Sequence, residues 1–387
     1  MTRDELDIVL SDEVQQQVAR NIDRDALQVA LDRSIPYARE VATQVKYLQR
    51  ARTKLPSLYE ARCIIPPRAF EQSSSEQSAM AKSLAGDTLL DLTCGLGIDA
   101  AALSRHFRRV VALERDAVLA DVVRENLIRQ GITNVEVVTA SAEEYVARCE
   151  EHFDWVYADP DRRTTDGRRV FRVEDCSPDM VALWPSLGRI TERVAVKLSP
   201  LFDVEEAFRL FGRCGVEVVS VGGECKEVMI YADGREPQLV ATAVGVGSFS
   251  LPHAATATEP PLPEAFSTDY KYLVIPDVAL QKARLVRFAL RGVADVWSNL
   301  SFGFAHTRPE GVLGRVESIS AIEPFDAKAL KREFKGRGVD ILLRDFPLGV
   351  DELRRKCGMH SGNTARLAFT RIGNKCYTIR LESGNIN

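Results

Sequence analysis

The feature that most constrains the fold is an apolar run that ends in a glycine turn, residues 88–97. Its leucines form the short, continuous apolar segment that is typical of a buried strand in a parallel sheet. Gly95 and Gly97 have no Cβ, so the backbone can bend sharply there and approach a ligand closely. A predicted helix, Ile98 to Phe107, follows directly. A strand, a glycine turn and a helix start together predict a nucleotide-type ligand site.

Three acidic residues help to decide which kind of nucleotide site this is. The glycine spacing alone also fits a loose dinucleotide-binding fingerprint, which is a weak signal. Asp91, however, ends the first predicted strand, where dinucleotide folds usually have a small apolar residue. Glu114 ends the second predicted strand, about 20 residues further on, where a carboxylate can hold ribose hydroxyls. Asp159 follows another predicted strand, residues 153–158.

With these residues in register, the chain resembles the class I S-adenosylmethionine-dependent methyltransferases. Residues 91–97 match the first motif of that family, and Glu114 matches the acidic residue after its second strand. Asp159 and Pro160 match the motif after its fourth strand. The resemblance covers roughly residues 62–247. It implies an α/β fold with a Rossmann-like class I methyltransferase sheet, and S-adenosyl-L-methionine as the cofactor.

The resemblance also implies which residues bind the cofactor. Ser141 stands where the family usually has an acidic residue that reaches the adenine amino group, so a hydroxyl and the backbone are left for this contact. Gln72 and Ser74 precede the first motif and either line the cofactor pocket or only cap a helix, since Ser74 and Gln77 resemble a capping box. The predicted cofactor-binding residues are Asp91, Thr93, Cys94, Gly95, Gly97, Glu114, Ser141, Ala142 and Asp159.

Methyl transfer from a sulfonium needs mainly position and a local electric field, because the methyl donor is already activated. The Asp159-Pro160 pair is similar to the Asp/Asn-Pro-Pro-aromatic turn of adenine and guanine N-methyltransferases. By that similarity Asp159 would orient a target N–H and accept its proton, and Asp159 and Asp161 are the predicted catalytic residues. The aromatic residue of that turn is missing, and Arg162 stands in its place.

An Asp-Pro-x-Arg turn also resembles that of the uridine C5-methyltransferases. Those enzymes require a cysteine nucleophile after the fifth strand, where this chain has Lys197, Leu198 and Ser199. N-methylation is therefore favoured over C5-methylation. Arg162, Arg163 and Lys197 are the predicted substrate-binding residues, since guanidinium groups form bidentate contacts with phosphate or carboxylate. Alternatively, the arginines pair with neighbouring aspartates and Lys197 is structural.

The chain of 387 residues is long enough for several domains. The predicted layout is an N-terminal helical segment (1–60), a methyltransferase domain (61–250), a small ferredoxin-like α/β segment (268–313) and a THUMP-like C-terminal domain (314–387). Residues 248–267, rich in Pro, Ala and Thr, are the predicted linker. Residues 334–340 and 344–347 carry the resemblance of the C-terminal α+β part to THUMP-like modules, which occur in RNA-modifying enzymes.

The net charge of −4 does not by itself suggest nucleic acid, but the charge is unevenly distributed. Residues 268–387 contain 20 Lys+Arg and 13 Asp+Glu, a net charge of +7, which leaves −11 for the remainder. A basic module on an acidic body is expected where one module meets phosphates. RNA is therefore the predicted partner, although a small domain can also be basic by chance.

The eight cysteines form no Cys-x-x-Cys pair and the five histidines are scattered, so we expect neither a metal site nor a disulfide framework. No apolar run reaches the ~20 residues of a membrane helix, and the acidic N-terminus lacks the apolar core of a signal peptide, which predicts a cytoplasmic protein. The predicted function is methylation of a nucleobase in RNA. The alternatives are methylation of a small molecule or protein, and a non-catalytic RNA-binding protein with a relic cofactor pocket.

Overall fold

A computed structural model describes residues 1–161 and 172–382. Its contacts divide the chain into two compact units. Unit 1 comprises residues 1–215 and 228–236, and unit 2 comprises residues 216–227 together with the residues from 237 on. Residues 237–250, which the sequence grouped with the methyltransferase domain, thus belong to unit 2.

The first part of unit 1 is helical, as the sequence predicts. Capping side chains begin several of these helices: Ser11, for example, accepts a hydrogen bond from the Val14 amide at 3.4 Å. The apolar stripe of this segment shares one core with Leu96, Ile98 and Val122, so it packs directly on the glycine turn and the helices beside it. The helices are α1 (Arg3–Leu10), α2 (Asp12–Asn21), α3 (Ala26–Leu31), α4 (Ala38–Lys54), α5 (Pro56–Glu60), α6 (Pro67–Gln72) and α7 (Glu76–Met80).

The remainder of unit 1 alternates strands and helices around a sheet. Its strands are β1 (Gly86–Asp91), β2 (Phe107–Glu114), β3 (Val135–Thr139), β4 (Trp155–Ala158) and β5 (Val194–Leu198). Its helices are α8 (Ile98–Leu103), α9 (Ala117–Arg129), α10 (Ala142–Arg148), α11 (Met180–Leu187) and α12 (Val204–Phe211). Two further strands, β6 (Gly215–Val221) and β7 (Glu224–Ala232), are divided between the units.

The strands of unit 1 follow the order β3-β2-β1-β4-β5-β7. Strands β1 to β5 are parallel, and β7 runs antiparallel to β5. The central strands are buried, which explains their continuous apolar sequences. This is the Rossmann-like class I arrangement that the sequence predicts. Because the strands are parallel, the residues that follow β1, β2, β4 and β5 gather at one edge of the sheet.

Unit 2 contains a seven-stranded sheet of order β11-β12-β10-β13-β16-β15-β14. Its strands are β10 (Tyr272–Pro276), β11 (Asp295–Val296), β12 (Gly303–Ala305), β13 (Gly314–Pro324), β14 (Gly338–Leu343), β15 (His360–Ile372) and β16 (Lys375–Leu381). β8 (Gln238–Ala243) and β9 (Gly247–Pro252) form an antiparallel pair. The helices are α13 (Val278–Lys282), α14 (Val286–Ala289), α15 (Ala327–Phe334) and α16 (Val350–Cys357).

The two predicted C-terminal segments share this sheet. Strand β10, from the predicted ferredoxin-like segment, pairs with β13 of the predicted THUMP-like domain, with Tyr272 opposite Ser318. The predicted C-terminal hairpin is present, since β15 and β16 pair up to Ile372 and Lys375. The C-terminal part is therefore α+β, as predicted, with one continuous sheet.

The prediction that residues 248–267 form a linker was wrong. Residues 248–252 belong to β9, and a 3-10 turn follows over His253–Ala257. The Arg287 guanidinium contacts the carboxylate of Glu259 and the carbonyl of Pro260. Phe266 packs against Trp297, with ring centroids 5.2 Å apart. Composition suggested a linker, but one buried arginine and one aromatic anchor fix the segment to unit 2.

None of the helices in the described part of the chain combines the length and the apolar character that a membrane crossing requires.

Candidate active site

Asp91 ends β1 at the start of the glycine turn and is fully buried. Its Oδ1 accepts a hydrogen bond from the Thr93 amide at 2.9 Å, whereas its Oδ2 has no hydrogen-bond partner among the described residues. Burial raises the pKa of Asp91 to about 7, and the nearby carboxylates act in the same direction. A buried carboxylate oxygen without a partner is costly. A donor of a bound ligand would relieve that cost.

The glycine turn disfavours side chains through its backbone conformation and, at Gly97, also through the space around it. Gly95 and Gly97 have φ angles of +55° and +80°, which L side chains rarely adopt. A Cβ on Gly97 would lie 2.8 Å from Cγ1 of Val123, a buried residue of α9. The turn is thus closed toward α9 at Gly97, and its positive φ angles favour glycine at both positions.

Glu114 ends β2 and lies directly beside the glycine turn. Its Oε2 accepts from the Gly95 amide at 3.0 Å, and its Oε1 accepts from the Asp116 amide at 2.9 Å. Burial raises the pKa of Glu114, partly offset by these two hydrogen bonds. Each carboxylate oxygen can accept a second hydrogen bond, so the residue can still serve ribose hydroxyls.

The remaining predicted cofactor residues surround the same turn. The Ala140 amide donates to the carbonyl of Glu114 at 3.2 Å, which places Ser141 and Ala142 beside β2. Ser141 caps α10, since its hydroxyl accepts from the Glu144 amide at 3.2 Å. Cys94 is buried, and burial raises the pKa of its thiol well above the ordinary value. The cofactor contacts of Cys94, Ser141 and Ala142 stay predictions.

Asp159 follows β4 and is joined to the glycine turn by its backbone. Its amide donates to the Thr93 hydroxyl at 2.6 Å, and its side chain is one-third exposed. The Lys197 ammonium donates to Oδ2 of Asp159. Asp161 lies two residues on, and its carboxylate accepts from the Gln72 side chain at 3.3 Å. The two predicted catalytic carboxylates therefore lie at the mouth of the parallel strands.

The segment before β1 contributes two contacts to this site. Gln72 reaches Asp161, and the Ser74 hydroxyl accepts from the Lys197 ammonium at 2.8 Å. The same hydroxyl donates to Asp99 at 3.2 Å. Gln72 therefore contacts Asp161 after β4, and Ser74 contacts both Lys197 and Asp99.

A buried charge network that sequence reasoning missed lies behind Lys197. Asp99, in the first turn of α8, accepts from the Lys82 ammonium at 2.9 Å and from the Tyr157 hydroxyl at 2.7 Å. Burial raises the pKa of Asp99, but the ammonium groups of Lys82 and Lys197 outweigh it, so the pKa is lowered overall. Nothing in the sequence marks Lys82 or Tyr157 as a partner of Asp99, because the pairing exists only in the folded chain.

Arg162 and Arg163, the predicted substrate-binding arginines, lie outside the described residues. Lys197 lies within them and contacts Asp159. Within the described ranges, no three His, Cys, Asp or Glu side chains are grouped as a metal site would require.

A second candidate surface lies on unit 2, where the ends of α15 and α16 meet. The two helices pack through Leu330, Phe334, Leu353 and Cys357, and the Gly336 amide donates to the carbonyl of Gly358 at 2.8 Å. Six exposed basic residues gather around this junction, none of them in an ion pair with another described residue. We call them the basic surface: Lys331, Arg332, Lys335, Arg337, Arg355 and Lys356.

The residues at the glycine turn fit S-adenosylmethionine. Among the described residues the buried Oδ2 of Asp91 has no hydrogen-bond partner, Gly95 and Gly97 add no side chain to the turn, and Glu114 has spare acceptor capacity beside it. These features suit a ligand with both amino and hydroxyl donors.

Two protein families match parts of the chain. The THUMP domain-like family matches residues 314–380, and the family described as Conserved hypothetical protein 95 matches residues 75–171. The first match contains α15, α16 and the basic surface. The second contains the glycine turn, Glu114 and the loop after β4.

Curated relatives include methyltransferases. An uncharacterized S-adenosylmethionine-dependent methyltransferase of Mycobacterium tuberculosis is 27% identical over 333 residues, 82% of this chain and 87% of the relative. Ribosomal RNA small subunit methyltransferase J of Coxiella burnetii is 30% identical over 30% of this chain and 52% of the relative. A tRNA/tmRNA (uracil-C(5))-methyltransferase of Sodalis glossinidius is 29% identical over 34% of this chain and 41% of the relative.

One solved structure has a similar fold over nearly the full length of this chain. The crystal structure of a candidate methyltransferase from Porphyromonas gingivalis W83 has a TM-score of 0.82 and 25% sequence identity. It matches 99% of this chain and 99% of its own. Together with the family matches, this likeness confirms the fold class that the sequence predicts.

Proposed function

We propose that this chain, a class I S-adenosylmethionine-dependent methyltransferase with a C-terminal THUMP-like domain, methylates a nucleobase nitrogen in RNA. The observation that carries the proposal is the position of Asp159. Its backbone is bonded to Thr93 in the glycine turn, and its carboxylate lies at the mouth of the sheet. The Asp159 carboxylate, as the acceptor for the target N–H, would therefore lie next to the glycine turn that fits the methyl donor.

Asp91, the glycine turn and Glu114 would hold the cofactor. When bound, S-adenosylmethionine supplies an electrophilic methyl group on its sulfonium. Oδ2 of Asp91, which has no partner among the described residues, would accept a hydrogen bond from the cofactor, and Glu114 would accept from its ribose hydroxyls. Gly95 and Gly97 allow the close approach of the backbone.

Asp159 would orient the amine that is methylated. A neutral exocyclic amine that gains a methyl group must also lose a proton. The Asp159 carboxylate would accept the target N–H and favour the positive charge that develops on nitrogen. Asp161, held by Gln72, would support the same loop.

The residues after β5 and two buried thiols favour nitrogen over carbon C5 as the target. C5-methylation needs a reactive cysteine, and β5 is followed by Ser199, Pro200 and Leu201 rather than by a cysteine. Burial raises the pKa of the thiols of Cys94 and Cys63, which keeps them protonated and unreactive. The similarity to the tRNA/tmRNA (uracil-C(5))-methyltransferase therefore supports RNA as the substrate of this chain, but not methylation at carbon C5.

The basic surface supports RNA over a protein or small molecule. Six exposed cations without ion pairs among the described residues meet at the ends of two helices, inside the THUMP-like match. Phosphate contacts are the main source of affinity for RNA backbones, and such contacts use lysine and arginine. Two of the relatives act on RNA by their names. We place the activity in the cytoplasm, where such RNA is found.

The test is nucleoside mass spectrometry of total RNA from cells with and without the gene. We expect one N-methylated nucleoside to disappear without the gene and to return with the wild-type gene, but not with Asp159→Ala. Identical nucleoside profiles would contradict an RNA substrate. Loss of a C5-methylated uridine instead would contradict the nitrogen assignment.

A further inference from the structure

Four charged side chains of alternating sign follow one another through the site of unit 1. The Lys82 ammonium lies 2.9 Å from Asp99, Lys197 lies 3.7 Å from Asp99, and Lys197 contacts Asp159. We infer that Lys197 is a positioning residue, which holds Asp159 by one carboxylate oxygen and leaves the other for the target amine. The inference rests on the proposed function, because it assigns Lys197 a part in the orienting role of Asp159.

The four charged side chains become more exposed from the core toward the mouth of the site. The Lys82 side chain is 1% exposed, Asp99 9%, Lys197 13% and Asp159 33%. Charge pairs that are shielded from water attract more strongly than exposed ones. The inner pair therefore anchors Lys197 in the protein, and only the last carboxylate faces the opening.

Lys197 is also fixed by a neutral partner. Its ammonium donates to the Ser74 hydroxyl at 2.8 Å, and that hydroxyl donates in turn to Asp99 at 3.2 Å. Lys197 lies on β5, and its partners come from three other parts of the chain: Ser74 precedes α7, Asp99 lies on α8 and Asp159 follows β4. Three separate elements thus fix one ammonium group, which is the arrangement expected where a catalytic side chain must be held in one position.

These contacts set Lys197 apart from a lysine that binds phosphate. A phosphate-binding lysine is a mobile point charge that needs an open approach. Lys197 is mostly buried and already donates to Asp159 and Ser74. Asp159, the carboxylate proposed to meet the substrate, is therefore already paired with the Lys197 ammonium. A paired carboxylate suits a neutral nucleobase amine better than a cationic amine such as that of a protein lysine.

The kinetic test is a double-mutant cycle in the full chain, read by single-turnover methyl transfer to RNA. Lys197→Met keeps the length of the side chain and removes its charge. We expect it to lower turnover by about tenfold or more while RNA and S-adenosylhomocysteine affinities change less than about threefold. In the Asp159→Ala background the same change should have almost no further effect, and Lys197→Arg should recover part of the rate. Lys46→Met, at an exposed lysine of α4, is the matched control and should behave as wild type.

A second cycle needs no substrate. Unfolding temperatures of Lys197→Met, Asp159→Asn and the double variant report whether the two side chains interact. We expect the double variant to lose less than the sum of the single losses. Additive losses in both cycles would overturn the inference, as would a Lys197→Met variant that weakens RNA binding at unchanged turnover. If wild type transfers no methyl group to RNA, the proposed function fails, and the unfolding cycle still decides the pairing.

Discussion

The Thr93 hydroxyl accepts a hydrogen bond from the Asp159 amide at 2.6 Å, and so joins the glycine turn to the loop after β4. The same hydroxyl lies 3.4 Å from Oδ1 of Asp91, to which it can donate. The Thr93 side chain thereby connects the predicted cofactor site to Asp159, the predicted catalytic carboxylate. Under the proposed function, the relative position of methyl donor and target amine would depend on this contact, because such transfers are sensitive to small displacements.

Thr93→Val should therefore reduce turnover. Valine has nearly the same shape as threonine but cannot accept the hydrogen bond, and it leaves the Asp159 amide without this partner. We expect a loss of about tenfold or more in single-turnover rate, with a smaller loss in S-adenosylhomocysteine affinity. Thr93→Ser, which keeps the hydroxyl, is the control and should stay close to wild type. Equal rates for the valine and serine variants would show that the contact has no part in positioning.

Asp91 should make stability depend on pH. Its pKa is about 7 in the folded chain against an ordinary 3.8, so between these values the folded protein holds a proton that the unfolded chain releases. The free energy of unfolding should then fall as pH rises through this window, by up to roughly 4 kcal/mol at 1.36 kcal/mol per pKa unit.

The comparison is with Asp91→Asn, measured by urea unfolding between pH 4 and pH 8. The variant should lose this part of the pH dependence and also bind S-adenosylhomocysteine at least about tenfold more weakly, because the free acceptor is gone. Parallel stability curves for the two proteins would contradict the shifted pKa. Unchanged ligand affinity would remove Asp91 from the cofactor site.

Gly97→Ala should be more harmful than the same change at another glycine with positive φ. Alanine at 97 would place its Cβ 2.8 Å from Val123, whereas a Cβ at Gly131 would meet nothing within 4 Å. Both changes carry the strain of a positive φ, about 1 kcal/mol, but only the first adds overpacking, which costs roughly 1–3 kcal/mol. Unfolding and calorimetric titration of both variants measure the difference. If Gly131→Ala loses as much stability as Gly97→Ala, the close contact with Val123 is not the cause.

The basic surface should contribute to RNA affinity. Lys331→Glu, Arg332→Glu and Lys335→Glu, combined in the full chain, should weaken RNA binding and flatten its dependence on salt, since fewer counterions are released. The control is an equal charge change on exposed residues of the N-terminal helical segment: Arg20→Glu, Arg33→Glu and Lys46→Glu. Binding is measured by fluorescence anisotropy at several salt concentrations. Equal losses in both triple variants would indicate a general charge effect rather than a binding surface.

The sequence was sufficient for the sheet of unit 1 and for the residues that end its strands. Asp91, Glu114 and Asp159 each follow an apolar run, and parallel strands bring their ends to one edge. Local pattern alone therefore placed these carboxylates together. The same reasoning identified the C-terminal hairpin, because its turn and alternation are local.

The charge network could not be predicted in this way. Lys197 and Ser74, which are hydrogen-bonded, are 123 residues apart, and Tyr157 and Asp99 are 58 apart. No periodicity or motif links such positions. The predicted linker failed for the same reason: its composition is that of a flexible segment, but Arg287 and Phe266 fix it through contacts that only the fold creates.

The most direct test of the account is the transfer of a labelled methyl group. Purified full-length protein is incubated with isotope-labelled S-adenosylmethionine and RNA from cells that lack the gene, and the RNA is digested to nucleosides for mass spectrometry. We predict label on the exocyclic nitrogen of one nucleoside with wild type, less with Asp159→Asn and about 10²-fold less with Asp159→Ala, at nearly unchanged cofactor affinity. Label only in protein or small molecules, or full transfer by Asp159→Ala, would contradict the account.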